Sequence, residues 1–203
     1  MPNNSHMSRR GFTAAMASLA AAPLFPLQAL ALDDRGAKAL IDKLVGDLNA
    51  IINSGKPEAV LFRDFEALFN KYGDVPIIAR SSLGVAWRTS SGSQRSRYVK
   101  AFSGYMARKW GKRFREFEGG KIVVSKAKKA KGGFLVNSMA HLQGQAPFAI
   151  DWQVSNKSGK DLMFNLYIEG ISLLATERTE IAAMLDKRNG NVDTLIRDLN
   201  KIK

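Results

Sequence analysis

Cysteine is absent from this 203-residue chain, so neither disulfide bonds nor thiolate metal sites can form. Histidine is also scarce, and His141 is the only one beyond the first ten residues. A histidine-pair metal motif is therefore excluded, and a single imidazole is left for any catalytic triad. Ser138 precedes it by three residues, which in a strand puts the two side chains on opposite faces. We expect no enzyme activity and no bound metal, nucleotide or other cofactor.

Long apolar runs are missing after residue 31, so nothing beyond that point predicts a membrane span. Before it, Arg9-Arg10 precedes an apolar run at 14–22 and small residues at 29–31, which is the pattern of an export signal. The paired arginines favour the twin-arginine route. An amino-terminal anchor or a buried helix is the alternative, but two prolines interrupt the apolar region. We therefore predict a cleaved signal and a periplasmic location.

Acidic residues are the minority, since 18 Asp and Glu against 31 Lys and Arg give a net charge of +13. Loss of the export signal, residues 1–31, removes two arginines and lowers the charge from +13 to +11. In the cytoplasm such an excess favours nucleic acid, but no nucleic-acid motif is present and export excludes that partner. We interpret residues 1–6 as a cloning remnant and expect residues 32–203 to form a single domain.

Two periodicities divide the chain into helical and extended parts. Apolar residues recur at three- and four-residue steps in segments that predict helices at 34–52, 58–72, 75–83, 93–117 and 192–199, with a further helix ending at residue 184. Alternating segments predict strands at 122–128, 134–142, 148–154 and 162–168. Glycine-containing loops between the strands predict antiparallel hairpins. The predicted class is α+β, with helices packed on a roughly four-stranded antiparallel sheet.

The segment 161–178 compresses a strand, a break and the start of a helix into eighteen residues. Side chains of Leu162, Phe164, Leu166 and Ile168 are expected on one face, and those of Met163, Asn165 and Tyr167 on the other. The strand ends at Glu169-Gly170. A short apolar run follows, and Thr176 is the expected N-cap of the next helix.

Two blocks of residues, in this order and spacing, resemble the MlaC family, also called toluene-tolerance proteins. The first contains Leu83-Gly84, Trp87-Arg88, Gln94, Tyr98, Ala101-Phe102 and Tyr105, and the second contains Glu169-Gly170-Ile171-Ser172 and the later Arg178. The resemblance runs from about residue 34 to residue 199. Asn165 departs from it, because many members have an acidic residue there.

The resemblance implies a soluble periplasmic carrier that binds phospholipid by its acyl chains, with residues 32–203 as a single lipid-binding domain. It also implies an NTF2-like sheet with an added helical part that encloses an apolar pocket. The implied partners are an outer-membrane lipoprotein–porin complex and an inner-membrane ABC transporter with an MCE-domain subunit, and the implied role is to maintain outer-membrane lipid asymmetry. Such transfer needs no covalent step, because differential affinity between partners moves the ligand. A hopanoid-associated carrier of the same superfamily is the alternative. A small exported envelope adaptor or enzyme with a filled core is another.

A lipid carrier needs an apolar cavity. Exposing two acyl chains with about 30 methylenes to water costs roughly 24 kcal/mol, and ligand pockets typically measure roughly 300–1,000 Å³. We expect a pocket near the upper end of that range. The predicted lining residues are Leu83, Trp87, Tyr98, Phe102, Tyr105, Met106, Phe134, Val136, Phe148, Ile150, Trp152, Phe164, Leu166 and Ile171. The same periodicity is also typical of an ordinary filled core, so both interpretations stay open.

Charged residues supply the remaining candidates. Arg88, Glu169 and Arg178 are candidates for head-group contact or for structural charge, with a structural pair between Glu169 and Arg178 favoured. Lysines cluster at 126–131, and further basic residues lie along the helix at 93–117. A solvated surface is one interpretation of these clusters. The other is steering onto anionic membrane surfaces, where each basic residue contributes roughly 1 kcal/mol.

Overall fold

The computed structural model describes residues 32–202, apart from the side chains at positions 114 and 115. The predicted export signal lies outside this range. The helices are α1 (Asp34–Ile52), α2 (Glu58–Tyr72), α3 (Val75–Leu83), α4 (Ala86–Thr89), α5 (Gly92–Phe114), α6 (Leu173–Asp186) and α7 (Val192–Leu199). The strands are β1 (Lys121–Ala130), β2 (Gly133–His141), β3 (Phe148–Ser155), β4 (Leu162–Ile168) and β5 (Ile171–Ser172). The α+β class is confirmed.

None of the helices within residues 32–202 combines the length and apolar character that crossing a membrane requires. The long predicted helix at 93–117 is instead α5 followed by a short 3₁₀ turn at Arg115–Phe117. The single turn α4 was not predicted, because four residues are too few for a periodic pattern.

Side-chain caps explain where several helices begin. Asp33 accepts a hydrogen bond from the Gly36 backbone N–H at 2.7 Å and starts α1. Helix α6 starts earlier than predicted, so the assignment of Thr176 as its N-cap was wrong. Ser172 occupies that position, with extended backbone, and its hydroxyl accepts from the Ala175 N–H at 3.2 Å. The strand β5 therefore leads directly into α6.

The strands form one antiparallel sheet in the order β1-β2-β3-β4-β5. The predicted strands are all present, and β5 adds a short edge next to β4. A two-residue turn at Glu169-Gly170 makes this last hairpin, with φ of 49° and 77°. Positive φ at both central residues is the geometry of a type I′ turn, in which glycine is favoured. The break predicted at Glu169-Gly170 is thus a hairpin turn.

A β-bulge changes which side chains of β4 face the helices. The register between β3 and β4 pairs Gln153 with Asn165 and Val154 with Met163, which leaves Phe164 as the extra residue. Met163 consequently packs against the same core as Leu166. The strict alternation predicted for this strand was wrong at Met163, because the extra residue Phe164 separates it from Asn165 and so puts Met163 on the same face as Leu166.

Buried apolar side chains form two clusters. The first, here called the sheet core, packs α1 and α2 against the sheet and contains Ala37, Ile41, Leu44, Val45, Leu48, Ile52, Leu61, Phe65, Tyr72, Ala107, Ile122, Val136, Ala140, Ile150, Trp152 and Val154. The second, here called the helical core, joins α3, α5, α6 and α7 and contains Ile78, Ala79, Leu83, Tyr98, Ala101, Phe102, Tyr105, Ile181, Leu185, Val192, Leu195, Ile196 and Leu199. Helix α5 contributes to both.

Candidate functional site

A cavity of about 120 Å³ lies where the sheet core and the helical core meet. Its walls come from five helices and from the strands β3 and β4. The lining residues are Leu44 and Leu48 of α1; Phe65, Leu68, Phe69 and Tyr72 of α2; Gly73; Ile78 of α3; Met106, Ala107 and Trp110 of α5; Trp152 of β3; Met163, Phe164, Asn165 and Leu166 of β4; and Leu173, Leu174 and Glu177 of α6. Apolar side chains dominate this lining.

The cavity is smaller than predicted. Its volume of about 120 Å³ is well below the upper end of the range for ligand pockets, roughly 300–1,000 Å³. Large side chains form its walls, among them Phe65, Phe69, Trp110 and Trp152, so little open space remains between the helices and β4.

Among the predicted pocket residues, Met106, Trp152, Phe164 and Leu166 line this cavity. The others lie elsewhere. Leu83, Tyr98, Phe102 and Tyr105 are buried in the helical core and Trp87 packs against it, while Val136 and Ile150 belong to the sheet core with Phe134 and Phe148 packed alongside. Ile171 is 65% exposed at the start of β5. The physical reason is that the aromatic stripe of α5 meets α3, α6 and α7 over most of its length.

The cavity residues of α1 and α2 were not predicted as lining. Leu44 and Leu48 are 4% and 1% exposed, and Phe65 is 5% exposed. Each belongs to an apolar stripe that the sequence does show, but helical spacing marks a buried face without showing what that face covers. A pattern in the sequence therefore indicates their burial and not their position beside a cavity.

One buried carboxylate interrupts the apolar wall. Glu177 of α6 is 1% exposed, and its Oε1 accepts hydrogen bonds from Lys109 Nζ at 2.7 Å and from Trp110 Nε1 at 3.2 Å. Lys109 also donates to Glu180, which accepts from the Tyr105 hydroxyl at 3.3 Å. Burial raises the pKa of the Glu177 carboxyl, and Lys109 opposes that shift. These side chains join α5 to α6 at one edge of the cavity.

The three charged candidates do not converge on this cavity. Glu169 accepts a hydrogen bond from the Ala149 backbone N–H, and Arg178 lies against Gly84. Within residues 32–202 no ion pair joins Glu169 to Arg178, so the predicted pair was wrong: the turn directs Glu169 toward β3 instead. Arg88 is exposed in α4.

The basic residues divide into two groups. Some of those on α5 bond to other elements: Arg108 donates to the carbonyls of Leu199 and Ile202, both at 2.6 Å, and Arg97 pairs with Asp193 at 2.6 Å. Lys100, Lys112 and Arg113 of the same helix are exposed. The lysines of β1 and the following turn are also exposed. These are Lys121, Lys126, Lys128, Lys129 and Lys131. A lysine-rich edge strand is also a common protection against pairing with other sheets.

Comparison with known proteins agrees with this architecture. The family model described as MlaC protein matches residues 39–201. This chain belongs to the MlaC family. No curated protein sequence matches it. Among solved structures, it is similar to a phospholipid-binding protein from Ralstonia solanacearum in complex with a phospholipid, with a TM-score of 0.66 and 20% identity over 81% of this chain and 95% of that one. At that identity the similarity shows a shared fold.

Proposed function

We propose that this MlaC-family protein binds a phospholipid by its acyl chains and carries it through the periplasm. The observation that supports this most is the apolar cavity between the two cores. The family and the fold shared with a phospholipid-binding protein support the same ligand. Each methylene removed from water contributes on the order of 0.8 kcal/mol, so an apolar interior supplies the affinity.

Acyl chains enter by separating the walls of the cavity. The space of about 120 Å³ is a starting volume that holds part of one chain. Its walls belong to two separate cores, so a small displacement between them widens the cavity while each core stays packed. The free energy of burying each methylene offsets the cost of that displacement.

Transfer between membranes follows from differential affinity and not from chemistry. In this proposal the protein exchanges lipid with an inner-membrane MCE-domain ABC transporter and an outer-membrane lipoprotein–porin complex, and thereby maintains outer-membrane lipid asymmetry. The exposed lysines of β1 supply a positive surface for approach to anionic lipid, with an attraction that salt weakens.

Native mass spectrometry of protein purified from cells tests the proposal. We expect a mass increment equal to a diacyl phospholipid, and solvent extraction should release that lipid. In the variant Met106→Glu the increment should fall at least tenfold, because a carboxylate in the apolar wall opposes acyl-chain burial. Met139→Glu is the matched control, since Met139 is 41% exposed on β2, away from the cavity.

Three results would count against the proposal. A triterpenoid in the extract would identify a hopanoid-type carrier of the same superfamily. Bare protein, both from cells and after incubation with phospholipid vesicles, would favour an adaptor or enzyme with a filled core. Equal lipid loss in Met106→Glu and Met139→Glu would show that the cavity is not the binding site.

A further inference from the structure

Two hairpin turns of the sheet meet at one end of it and are rich in lysine. The β1–β2 turn and the β3–β4 turn lie side by side, since Lys157 Nζ is 4.0 Å from the position that a Cβ on Gly132 would take. The turns with their adjoining strand ends, residues 128–133 and 155–161, are here called the lysine end. It contains five exposed lysines and one acidic residue, Asp161. The lysines are Lys128, Lys129, Lys131, Lys157 and Lys160.

The positive charge of the lysine end is not used within the protein. None of its five lysines forms an ion pair within residues 32–202. By contrast, Lys38, Lys56 and Lys71 each pair with an aspartate, at 2.7 to 2.8 Å. An excess of positive charge therefore faces solvent at this end of the sheet.

The composition of the lysine end favours a lipid surface over a protein partner. Protein interfaces are enriched in arginine, tyrosine and tryptophan and depleted in lysine. Residues 128–133 and 155–161 contain none of the three enriched types. Lysine is a compact, hydrated charge on a flexible stem, which suits attraction to many lipid head groups better than two-point binding of one group.

The lysine end also adjoins the wall of the cavity. Phe164, the extra residue of the β4 bulge, lines the cavity. Its Cζ lies 3.5 Å from the position that a Cβ on Gly132 would take, so the same side chain reaches the β1–β2 turn. Met163, its neighbour in β4, lines the cavity as well. A surface placed against the lysine end is therefore next to the cavity wall at the start of β4.

We propose that the protein docks on an anionic lipid bilayer with the lysine end. In this orientation the cavity wall at Phe164 lies beside the bilayer. The attraction is electrostatic, because each basic residue near an anionic surface raises the affinity roughly fivefold, and salt screens it. This inference rests on the phospholipid transport proposed above and adds to it the orientation of the carrier at a membrane.

Co-sedimentation with vesicles tests the docking. Purified protein is mixed with vesicles of phosphatidylcholine alone, or of equimolar phosphatidylcholine and phosphatidylglycerol, at about 0.15 M salt, and the bound fraction is measured. We expect binding to the anionic vesicles and not to the neutral ones. At about 1 M salt the binding should disappear, because the Debye length falls from about 8 Å to about 3 Å.

A pair of double variants locates the docking face. Lys131→Glu/Lys157→Glu changes one lysine of each turn and should weaken binding to the anionic vesicles at least about tenfold. Lys112→Glu/Lys121→Glu is the matched control with the same change in net charge, and both of these lysines are exposed. Lys121 begins β1, about 30 Å from its other end, and Lys112 lies in the last turn of α5. The control should weaken binding less than about threefold, because these charges lie beyond the Debye length.

The outcomes separate the two proposals. If the unmodified protein binds neither kind of vesicle, or both equally, docking on anionic lipid is overturned, whether or not a variant folds. Equal losses in the two folded double variants overturn the assignment to the lysine end, since net charge alone would then govern binding. Phospholipid binding is measured separately, by the lipid mass increment of protein purified from cells. Absence of that increment overturns the proposed function even if docking occurs.

Discussion

The two halves of α5 have the same apolar spacing and different surroundings. Tyr98, Phe102 and Tyr105 stack in the first half, with ring centroids 5.7 and 6.4 Å apart, and fill the helical core. Met106 and Trp110 in the second half line the cavity. The difference comes from the opposite side, where α3, α6 and α7 supply side chains for the first half and a gap lies beside the second. Periodicity thus marks a buried face, and the neighbouring elements decide whether it is filled.

The same contrast holds for polar groups. In the helical core the hydroxyls of Ser82 and Tyr98 lie 2.8 Å apart, and Ser82 also donates to the Ala79 carbonyl at 2.9 Å. Both hydroxyls are satisfied. At the cavity, Glu177 keeps one buried oxygen without a partner. The contrast is limited to these two positions, because Asp74 Oδ2 and Asn137 Oδ1, which do not line the cavity, are also buried without a hydrogen-bond partner among the described residues.

The largest expected change in the free energy of unfolding comes from a truncation in the first half of α5. Phe102→Ala should lower the free energy of unfolding by about 3–5 kcal/mol, because Phe102 is 0% exposed and its removal leaves a void among packed side chains. Urea denaturation followed by circular dichroism measures this change. A charged residue at position 102 should prevent folding and not merely remove lipid.

Phe164→Ala provides the comparison for this prediction. Phe164 lines the cavity and is only partly buried, so the same truncation should cost about 1–2 kcal/mol. Equal destabilisation by the two variants would contradict the distinction between a filled core and a cavity wall.

A second prediction compares the replacement of alanine by leucine at two positions of α5. Ala101 is 2% exposed in the helical core, so Ala101→Leu should overpack it and cost about 1–3 kcal/mol. Ala107 is 4% exposed but lines the cavity, so Ala107→Leu places its added carbons in open space and should cost less than about 1 kcal/mol. Thermal unfolding measures both stabilities.

The amount of bound lipid should rank the same two variants in the opposite order, with the larger loss in Ala107→Leu. Ala107→Leu occupies part of the volume that the acyl chains need, so bound lipid should fall several-fold, whereas folded Ala101→Leu should retain it. If Ala107→Leu destabilised the protein as much as Ala101→Leu did, the space beside Ala107 would not be a usable cavity.

Sequence patterns were sufficient for most of the fold, for identifiable reasons. Helix α1 ends before Asn53-Ser54-Gly55 and α2 begins after Pro57, so local breakers fix these boundaries. The hairpins between strands follow from glycine-containing loops in the same way. The start of α6 was misplaced because both Ser172 and Thr176 are suitable N-caps. The pairing of β5 with β4 ends at Ser172, and this tertiary contact makes Ser172 the N-cap.

The site was much less predictable. Trp152 and Leu166 were identified because core-facing alternation holds at their paired positions on β3 and β4. Met163 was placed on the wrong face, since a bulge has no clear signature in a single sequence. Glu177 was missed altogether. A glutamate on an amphipathic helix usually faces solvent, and its burial depends on Lys109, which lies far away in the chain.

A smaller effect than that of Phe102→Ala is expected for the satisfied polar pair of the helical core. Because Ser82 donates its one proton to Ala79, Tyr98 must be the donor to Ser82. Tyr98→Phe then removes one bond, leaves Ser82 with its carbonyl partner, and should cost about 0.5–1.5 kcal/mol. Ser82→Ala instead leaves the fully buried Tyr98 hydroxyl without an acceptor and should cost more, about 1–3 kcal/mol. Urea denaturation of both variants measures the difference, and neither should alter bound lipid, since neither residue lines the cavity. A larger cost for Tyr98→Phe than for Ser82→Ala would contradict the assignment of Tyr98 as the donor in this pair.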